Sequence, residues 1–149
     1  MPIDERISAL QEIISLVSTV GAEFITKVYK RLESFGYIIT ESDDWIISFA
    51  IQKVENNIKN SCNVTSIPDG LKHIAVDMIC GEFLFAKKQT GKLDGFNLET
   101  AVKQVQTGDT SVTFAVEASR TPEQRLDTLL SYLMNNGKDG FACYRKIKW

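Results

Sequence analysis

The chain has 149 residues, of which 44% are hydrophobic and 24% are charged, and this is the composition of one globular domain that can bury its own core. Its 17 basic and 19 acidic residues give a net charge of −2, which argues against a protein that coats nucleic acid without sequence preference, since such domains carry a basic excess. Because the sequence has no membrane-length apolar run, no signal peptide and no zinc-like cysteine spacing, we expect a cytosolic protein with free thiols and no membrane or metal partner.

The spacing of apolar residues predicts two helices in the first quarter of the chain. The first is expected from Arg6 to Val20, with Asp4 as its N-cap. The second is expected from Ala22 to Ser34, with Gly36 in the C′ position that follows a helix. The buried side of the second helix is predicted to hold Phe24, Ile25, Val28, Tyr29 and Leu32.

A third helix is predicted from Asp43 to Asn60, after capping groups at residues 40–43. The residues expected to form its buried side are Trp45, Ile46, Phe49, Val54 and Ile58. Acidic residues at its start are interpreted as caps rather than as acid–base catalysts, because they favour the positive end of the helix dipole.

A fourth helix is predicted from Leu71 to about Gln89 and is apolar around most of its circumference. Such a helix is buried on all sides, by neighbours in its own chain or in another subunit. The residues that we single out as its core or interface positions are Ile74, Met78, Phe83 and Phe85.

The remainder of the chain is predicted to hold shorter elements. A polar loop at residues 91–95 is followed by an amphipathic helix at 98–105 and a strand at 111–116. A capping box beginning at Thr121 starts a last helix that runs to about Asn135, and an extended tail follows. The fold class is therefore mainly α: one domain over residues 1–149, a bundle of five to six helices with a short β element near 111–116 and an extended C-terminal arm.

The sequence offers little for catalysis. His73 is the only histidine, and Asp77 lies one helical turn after it, so the pair could form an oriented base or a polar pair on the helix surface. We favour the surface pair, because no nucleophile motif accompanies it. We expect no enzymatic activity, no catalytic residue and no cofactor.

The basic residues of the second helix have two interpretations, a helix-turn-helix element that binds DNA and a plain solvated helix face. The second helix carries Lys27, Lys30 and Arg31, but Glu23 and Glu33 lie on the same helix. The basic cluster is small, so a solvated helix face is the favoured interpretation.

The C-terminus concentrates aromatic and basic residues where chain ends are normally polar. These residues are Tyr144, Arg145, Lys146, Ile147, Lys148 and Trp149. Aromatic residues and arginine are enriched where proteins dock, so residues 141–149 are interpreted as a docking arm. A final strand that pairs with residues 111–116 in the same subunit is the alternative, and the two are compatible.

The order of these elements resembles that of the head–tail connector (adaptor) proteins of tailed phages and prophages of Gram-positive bacteria, especially those with contractile tails. The parts that carry the resemblance are the apolar helix at 74–86, the segment at 101–114 with its Gly-Asp-Thr-Ser-Val run, the capped helix at 121–133 and the ending at 143–149. They cover roughly the second half of the chain, and none of them is catalytic.

The resemblance implies a structural protein in an oligomeric ring at the neck of the virion, assembled in the cytoplasm of the bacterial host. The ring would join the portal to tail-terminator or tail proteins and would continue a channel through which DNA passes without sequence-specific binding. By the same resemblance Gly108, Asp109, Thr110 and Ser111 are candidates for ring contacts or for the channel. The alternatives are a small helical DNA-binding or regulatory protein, and a neck or tail-end component of a headless phage tail-like particle.

Overall fold

The structure is a computed structural model that describes residues 3–14, 21–91, 93, 122–135, 137–138 and 141. The five α-helices of this part of the chain are α1 (Ile3–Ile14), α2 (Ala22–Ser34), α3 (Asp44–Cys62), α4 (Lys72–Gln89) and α5 (Pro122–Asn135). Short 3₁₀ turns at Glu41–Asp43 and Asp69–Leu71 precede α3 and α4. The mainly α class is confirmed. The predicted helix at 98–105 and the predicted strand at 111–116 lie outside the described residues, so neither a sixth helix nor a β element is part of the observed fold.

Helix α4 is the centre of the bundle, and it packs against α2, α3 and α5 of the same chain. Three neighbours leave little of its circumference to solvent, which explains why apolar residues occur nearly all round it. Its buried side chains include Ala75, Val76, Met78, Ile79, Cys80, Phe83 and Leu84. Helix α1 closes the other side of the core by packing on α2 and α3.

The predicted boundaries and buried face of α2 are both confirmed. Its end is a Schellman motif, in which the backbone N–H of Gly36 donates to the Glu33 carbonyl at 2.9 Å and that of Tyr37 donates to the Leu32 carbonyl at 3.2 Å. Gly36 has φ of 85°, a left-handed conformation that favours glycine. Tyr37 and Leu32 occupy the two positions whose apolar contact usually accompanies the motif, and both are buried.

Two details of the first and third helices correct the predictions. Helix α1 begins at Ile3, so Asp4 lies inside its first turn and is not the N-cap. In α3, Val54 and Ile58 are buried as predicted, but the predicted burial of Trp45 and Phe49 is wrong, since both are exposed. The buried stripe of α3 instead passes through Ile47, Ile51, Val54 and Ile58.

Helix α5 runs antiparallel to α4 at close range. A Cβ atom on Gly81 would lie 2.9 Å from Cγ of Met134, and one on Gly137 would lie 2.0 Å from Cγ2 of Ile74. Beyond α5, Phe141 is buried, and its carbonyl accepts a hydrogen bond from the Cys62 thiol at the end of α3 (3.5 Å). The first residue of the predicted docking arm is therefore packed in the core of its own subunit, and residues 142–149 lie outside the described part.

Candidate interaction surface

Large apolar side chains are exposed at four positions of the described chain. The exposed fractions are 84% for Ile38, 69% for Trp45, 71% for Phe49 and 40% for Phe85. Single exposed apolar residues are common, whereas two exposed aromatic residues one turn apart on one helix form a patch, and such patches often mark a binding site. Aromatic residues are enriched where proteins bind one another.

Helix α3 exposes the aromatic side chains of Trp45 and Phe49, whereas helices usually bury aromatic side chains and expose polar ones. The same helix buries Ser48, which is 3% exposed, and Glu55, which is 1% exposed. Glu55 is stabilised there by Lys59, whose Nζ lies 3.7 Å from its carboxylate. Because polar side chains are inside and aromatic side chains are outside, packing among the described residues gives no reason for aromatic residues at positions 45 and 49.

Four residues at steps of four along the 3₁₀ turn and α3 form one continuous stripe, which we call the α3 outer face: Glu41, Trp45, Phe49 and Lys53. Residues four apart are neighbours on a helix surface. The two aromatic residues face away from the buried stripe of α3. Acidic Glu41 lies at one end of the outer face and basic Lys53 at the other. The side chain of Lys53 is 58% exposed and pairs with Glu82 of α4, with Nζ and Oε2 3.0 Å apart.

Asp43, the residue that precedes α3, anchors the start of this helix in the core. Its fully buried carboxylate accepts hydrogen bonds from Nζ of Lys87 at 2.8 Å, from the Tyr37 hydroxyl at 2.9 Å and from the Thr40 backbone N–H at 3.0 Å. Burial disfavours the charged form, but the bonds from Lys87, Thr40 and Tyr37 outweigh it and lower the pKa of Asp43 below its ordinary value. The capping role predicted for this residue is thus combined with a buried ion pair to α4.

Asp44, the first residue of α3, connects this helix to α1 and α2. Its carboxylate accepts hydrogen bonds from Nη2 and Nε of Arg6, at 2.7 and 3.1 Å, and from the Tyr29 hydroxyl at 2.6 Å. Burial and the bond to Asp44 raise the pKa of Tyr29, so this hydroxyl stays protonated as a donor. Two adjacent aspartates therefore attach the start of α3, beside Trp45, to α1, α2 and α4.

The candidate catalytic pair of the sequence does not come together. Oδ1 of Asp77 accepts a hydrogen bond from Nε of Arg31 at 2.9 Å, whereas His73 is exposed at the start of α4. The guanidinium of Arg31 also lies over the Phe35 ring, 4.6 Å from its centroid. Of the three basic residues weighed for DNA reading, Lys27 and Lys30 are exposed, and Arg31 is engaged by α4.

The other predicted site residues divide into two groups. Met78 and Phe83 are buried within this chain, Ile74 is half-buried against α5, and Phe85 is partly exposed on α4. Residues 108–111 and 144–149 lie outside the described part. Sequence reasoning missed the α3 outer face because it assigned the two aromatic residues to the core. The 4-3-4 spacing of residues 47, 51, 54 and 58 was the signal that could have placed them outside.

One cavity in the described part of the chain is too small to hold a substrate. A cavity between α4 and α5 has a volume of about 20 Å³, which is room for water rather than for a substrate, and Asp77 and Tyr132 are its polar residues. Within the described ranges no group of three or more histidine, cysteine or acidic residues is arranged to hold a metal ion. None of the helices in that part is both long enough and apolar enough to cross a bilayer.

Comparisons of the chain with protein-family models, with curated proteins and with solved structures find no match. The geometry of the α3 outer face, together with the resemblance of the second half of the sequence, is therefore the basis for a functional proposal.

Proposed function

We propose that this chain is a structural assembly protein of a tailed, contractile-tail phage or prophage. Its copies form an oligomeric ring at the neck that joins the portal to the tail and continues the DNA channel. The observation that carries the proposal is the α3 outer face, on which Trp45 and Phe49 are about seven-tenths exposed next to two ion-paired aspartates at the start of the helix. A surface of this kind suits a protein whose function is to bind other proteins.

The mechanism is physical and involves no bond-making step. Helix α4 supplies a stable core, and Asp43 and Asp44 hold the start of α3 in one orientation, so that the binding surface is preorganised before a partner arrives. The net charge of −2 suits a DNA conduit, because a strongly basic lining would hold DNA through counterion release. The aromatic and basic arm of the sequence, residues 144–149, supplies a second contact to a neighbouring copy, the portal or the tail.

Imaging of assembly tests the proposal directly. The purified chain, alone and mixed with the portal and tail proteins encoded near its gene, is examined by mass photometry and negative-stain electron microscopy. Closed rings, or recruitment of the chain into portal or tail rings, are the expected result. A chain that stays monomeric under all these conditions, or that turns over a substrate, would overturn the proposal.

A truncation separates assembly from folding. Removal of residues 144–149 retains the buried Phe141, so we expect the thermal unfolding midpoint to change little while ring formation is weakened. Ring formation that is unchanged by the truncation would refute the docking role of the arm. Retention of the full chain on DNA at low salt, lost as salt rises, would instead favour the DNA-binding alternative.

A further inference from the structure

The α3 outer face has a charge order that is its own complement when reversed. Read along the chain it is acidic, aromatic, aromatic and basic: Glu41, Trp45, Phe49 and Lys53. Read in the opposite direction it is basic, aromatic, aromatic and acidic. A second copy that is rotated by 180° therefore presents opposite charge to each charged end and an aromatic ring to each aromatic ring.

We propose that the α3 outer face binds a second copy of this chain across a two-fold axis, with the two α3 helices antiparallel. The axis passes at the level of Ile47, whose own side chain points into the core. Trp45 then packs against the partner's Phe49, and Glu41 lies opposite the partner's Lys53. A two-fold contact repeats each pair, so the interface holds two aromatic pairs and two opposite-charge pairs.

The spacing of the stripe matches a common mode of helix packing. Steps of four residues form ridges on a helix, and when two such ridges interdigitate the helices cross at about −50°, the commonest class in globular proteins. Lys53 is able to face a second acid because its pair with Glu82 is at the surface, where such pairs contribute little and exchange partners readily.

The size of the aromatic surface sets the strength of the contact. A fully buried aromatic side chain removes about 150–250 Å² from water, so four rings exposed to about seven-tenths contribute roughly 400–700 Å² to the dimer. Stable interfaces bury about 1,200–2,000 Å² in total. The contact is therefore a reversible one whose dimer fraction depends on protein concentration. A second copy is favoured over an unrelated partner because a self-complementary order of charges is required only when the surface meets itself.

Both proposals start from the α3 outer face as a protein-binding surface, but the dimer assigns this face to a second copy, so that the contacts between ring neighbours would lie on other surfaces. A two-fold contact closes after two copies, whereas a ring is built by a head-to-tail contact between different surfaces. The dimer would link copies in solution or join two rings face to face.

Sedimentation velocity across the micromolar range tests the contact in the full-length chain. In the absence of portal and tail proteins, the wild type is expected to form a dimer whose fraction rises with concentration. Trp45→Ala or Phe49→Ala should weaken the association constant by about tenfold or more with an unchanged far-ultraviolet circular dichroism spectrum, since each ring fills the centre of the interface. In a Trp149→Phe background the emission of Trp45, then the sole tryptophan, should shift to the blue as the dimer forms. A wild-type chain that stays monomeric would overturn the proposal.

A charge-reversal mixture tests the antiparallel geometry itself. Glu41→Lys places like charges opposite each other in its homodimer, and so does Lys53→Glu, so each variant alone should be mostly monomeric. In an equimolar mixture the heterodimer pairs opposite charges at both positions, and dimer should reappear. Two variants that remain monomeric when mixed would overturn the geometry.

Two controls exclude other causes. Lys30→Glu makes the same charge change on the exposed side of α2 and should leave dimerisation unchanged. Glu82→Gln removes the acid that competes for Lys53 within the chain and should not weaken dimerisation. A loss of dimer in Lys30→Glu would show that net charge governs association and would contradict the specific contact.

The two proposals fail separately. Rings that form while the wild-type chain shows no dimer would refute the two-fold contact and leave the proposed function intact. A dimer that follows the charge-reversal pattern, in a chain that never enters rings with portal or tail proteins, would refute the neck function and support the contact.

Discussion

Replacement of Lys87 by methionine tests the buried ion pair that holds α3 to α4. The change keeps most of the volume and the apolar stem of the side chain and removes the charge that lies 2.8 Å from Asp43. Removal of one partner of a buried pair costs about 3–5 kcal/mol, because the other charge is left uncompensated. Tyr37 and Thr40 still donate to Asp43, which places the expected loss near the lower end, at about 3 kcal/mol.

Equilibrium unfolding in urea, followed by circular dichroism, measures this loss as a change in midpoint with an unchanged slope. In thermal unfolding the same loss corresponds to about 6–12 °C for a chain of this size. Lys72→Met is the matched control, because Lys72 pairs with Asp69 at the surface and the change should have little effect.

The pH dependence gives the second half of the test. In the wild type the pKa of Asp43 is lowered, so its contribution to stability is present above the pKa of the unfolded chain, near 3.9, and is lost as pH falls through the folded-state pKa. In Lys87→Met burial dominates and the pKa of Asp43 should rise above 3.9. The folded variant then takes up a proton more readily than the unfolded chain. The difference in unfolding free energy between wild type and variant should therefore become smaller as the pH is lowered from about 7 to about 5. A difference below about 1 kcal/mol, or one that is equal at the two pH values, would refute the reasoning.

Three further changes test the remaining contacts by the same urea unfolding assay. Tyr29→Phe removes the 2.6 Å hydrogen bond to the Asp44 carboxylate and should cost about 1.5–3 kcal/mol, whereas an unchanged midpoint would show that water replaces the hydroxyl. Gly137→Ala places a Cβ 2.0 Å from Ile74 and should cost about 1–3 kcal/mol, and a neutral result would show that the turn after α5 moves aside freely. Replacement of both aromatic residues of the α3 outer face by glutamine should change monomer stability by less than about 0.5 kcal/mol, and a large loss would mean that they pack within their own chain.

How much the sequence predicts is best seen by comparing α2 with α3. Helix α2 has one apolar stripe and a glycine at its C′ position, so its boundaries and its buried face were both predictable. Helix α3 carries apolar residues at 45–47, 49–51, 54 and 58, which supports two different phases. Because Trp45 and Phe49 are the largest apolar side chains of the helix, the prediction placed them on the buried side.

The polar contacts that decide the candidate site could not be predicted. Asp43 and Lys87 are 44 residues apart in the sequence, and Asp44 and Arg6 are 38 residues apart. A local sequence pattern therefore cannot predict either pair. The buried position of Lys87 near the end of α4 also contradicts the expectation that lysine is exposed. Tertiary structure alone brings these residues together.

The side of α3 that is buried is decided by the residues that each side of the helix presents along its whole length. The aliphatic stripe of residues 47, 51, 54 and 58 extends over about three turns, and each side chain gains about 1.5–3 kcal/mol on burial. The aromatic pair occupies only the first two turns, and its face continues with exposed Lys53, Asn56 and Asn60, which would be buried without partners if the helix rotated. Rotation would also break the bonds of Asp44 to Arg6 and Tyr29. The contacts of the described residues therefore explain why α3 exposes this side to solvent, but they give no reason for aromatic rather than polar residues at these two positions. That excess of apolar surface is what a partner would use.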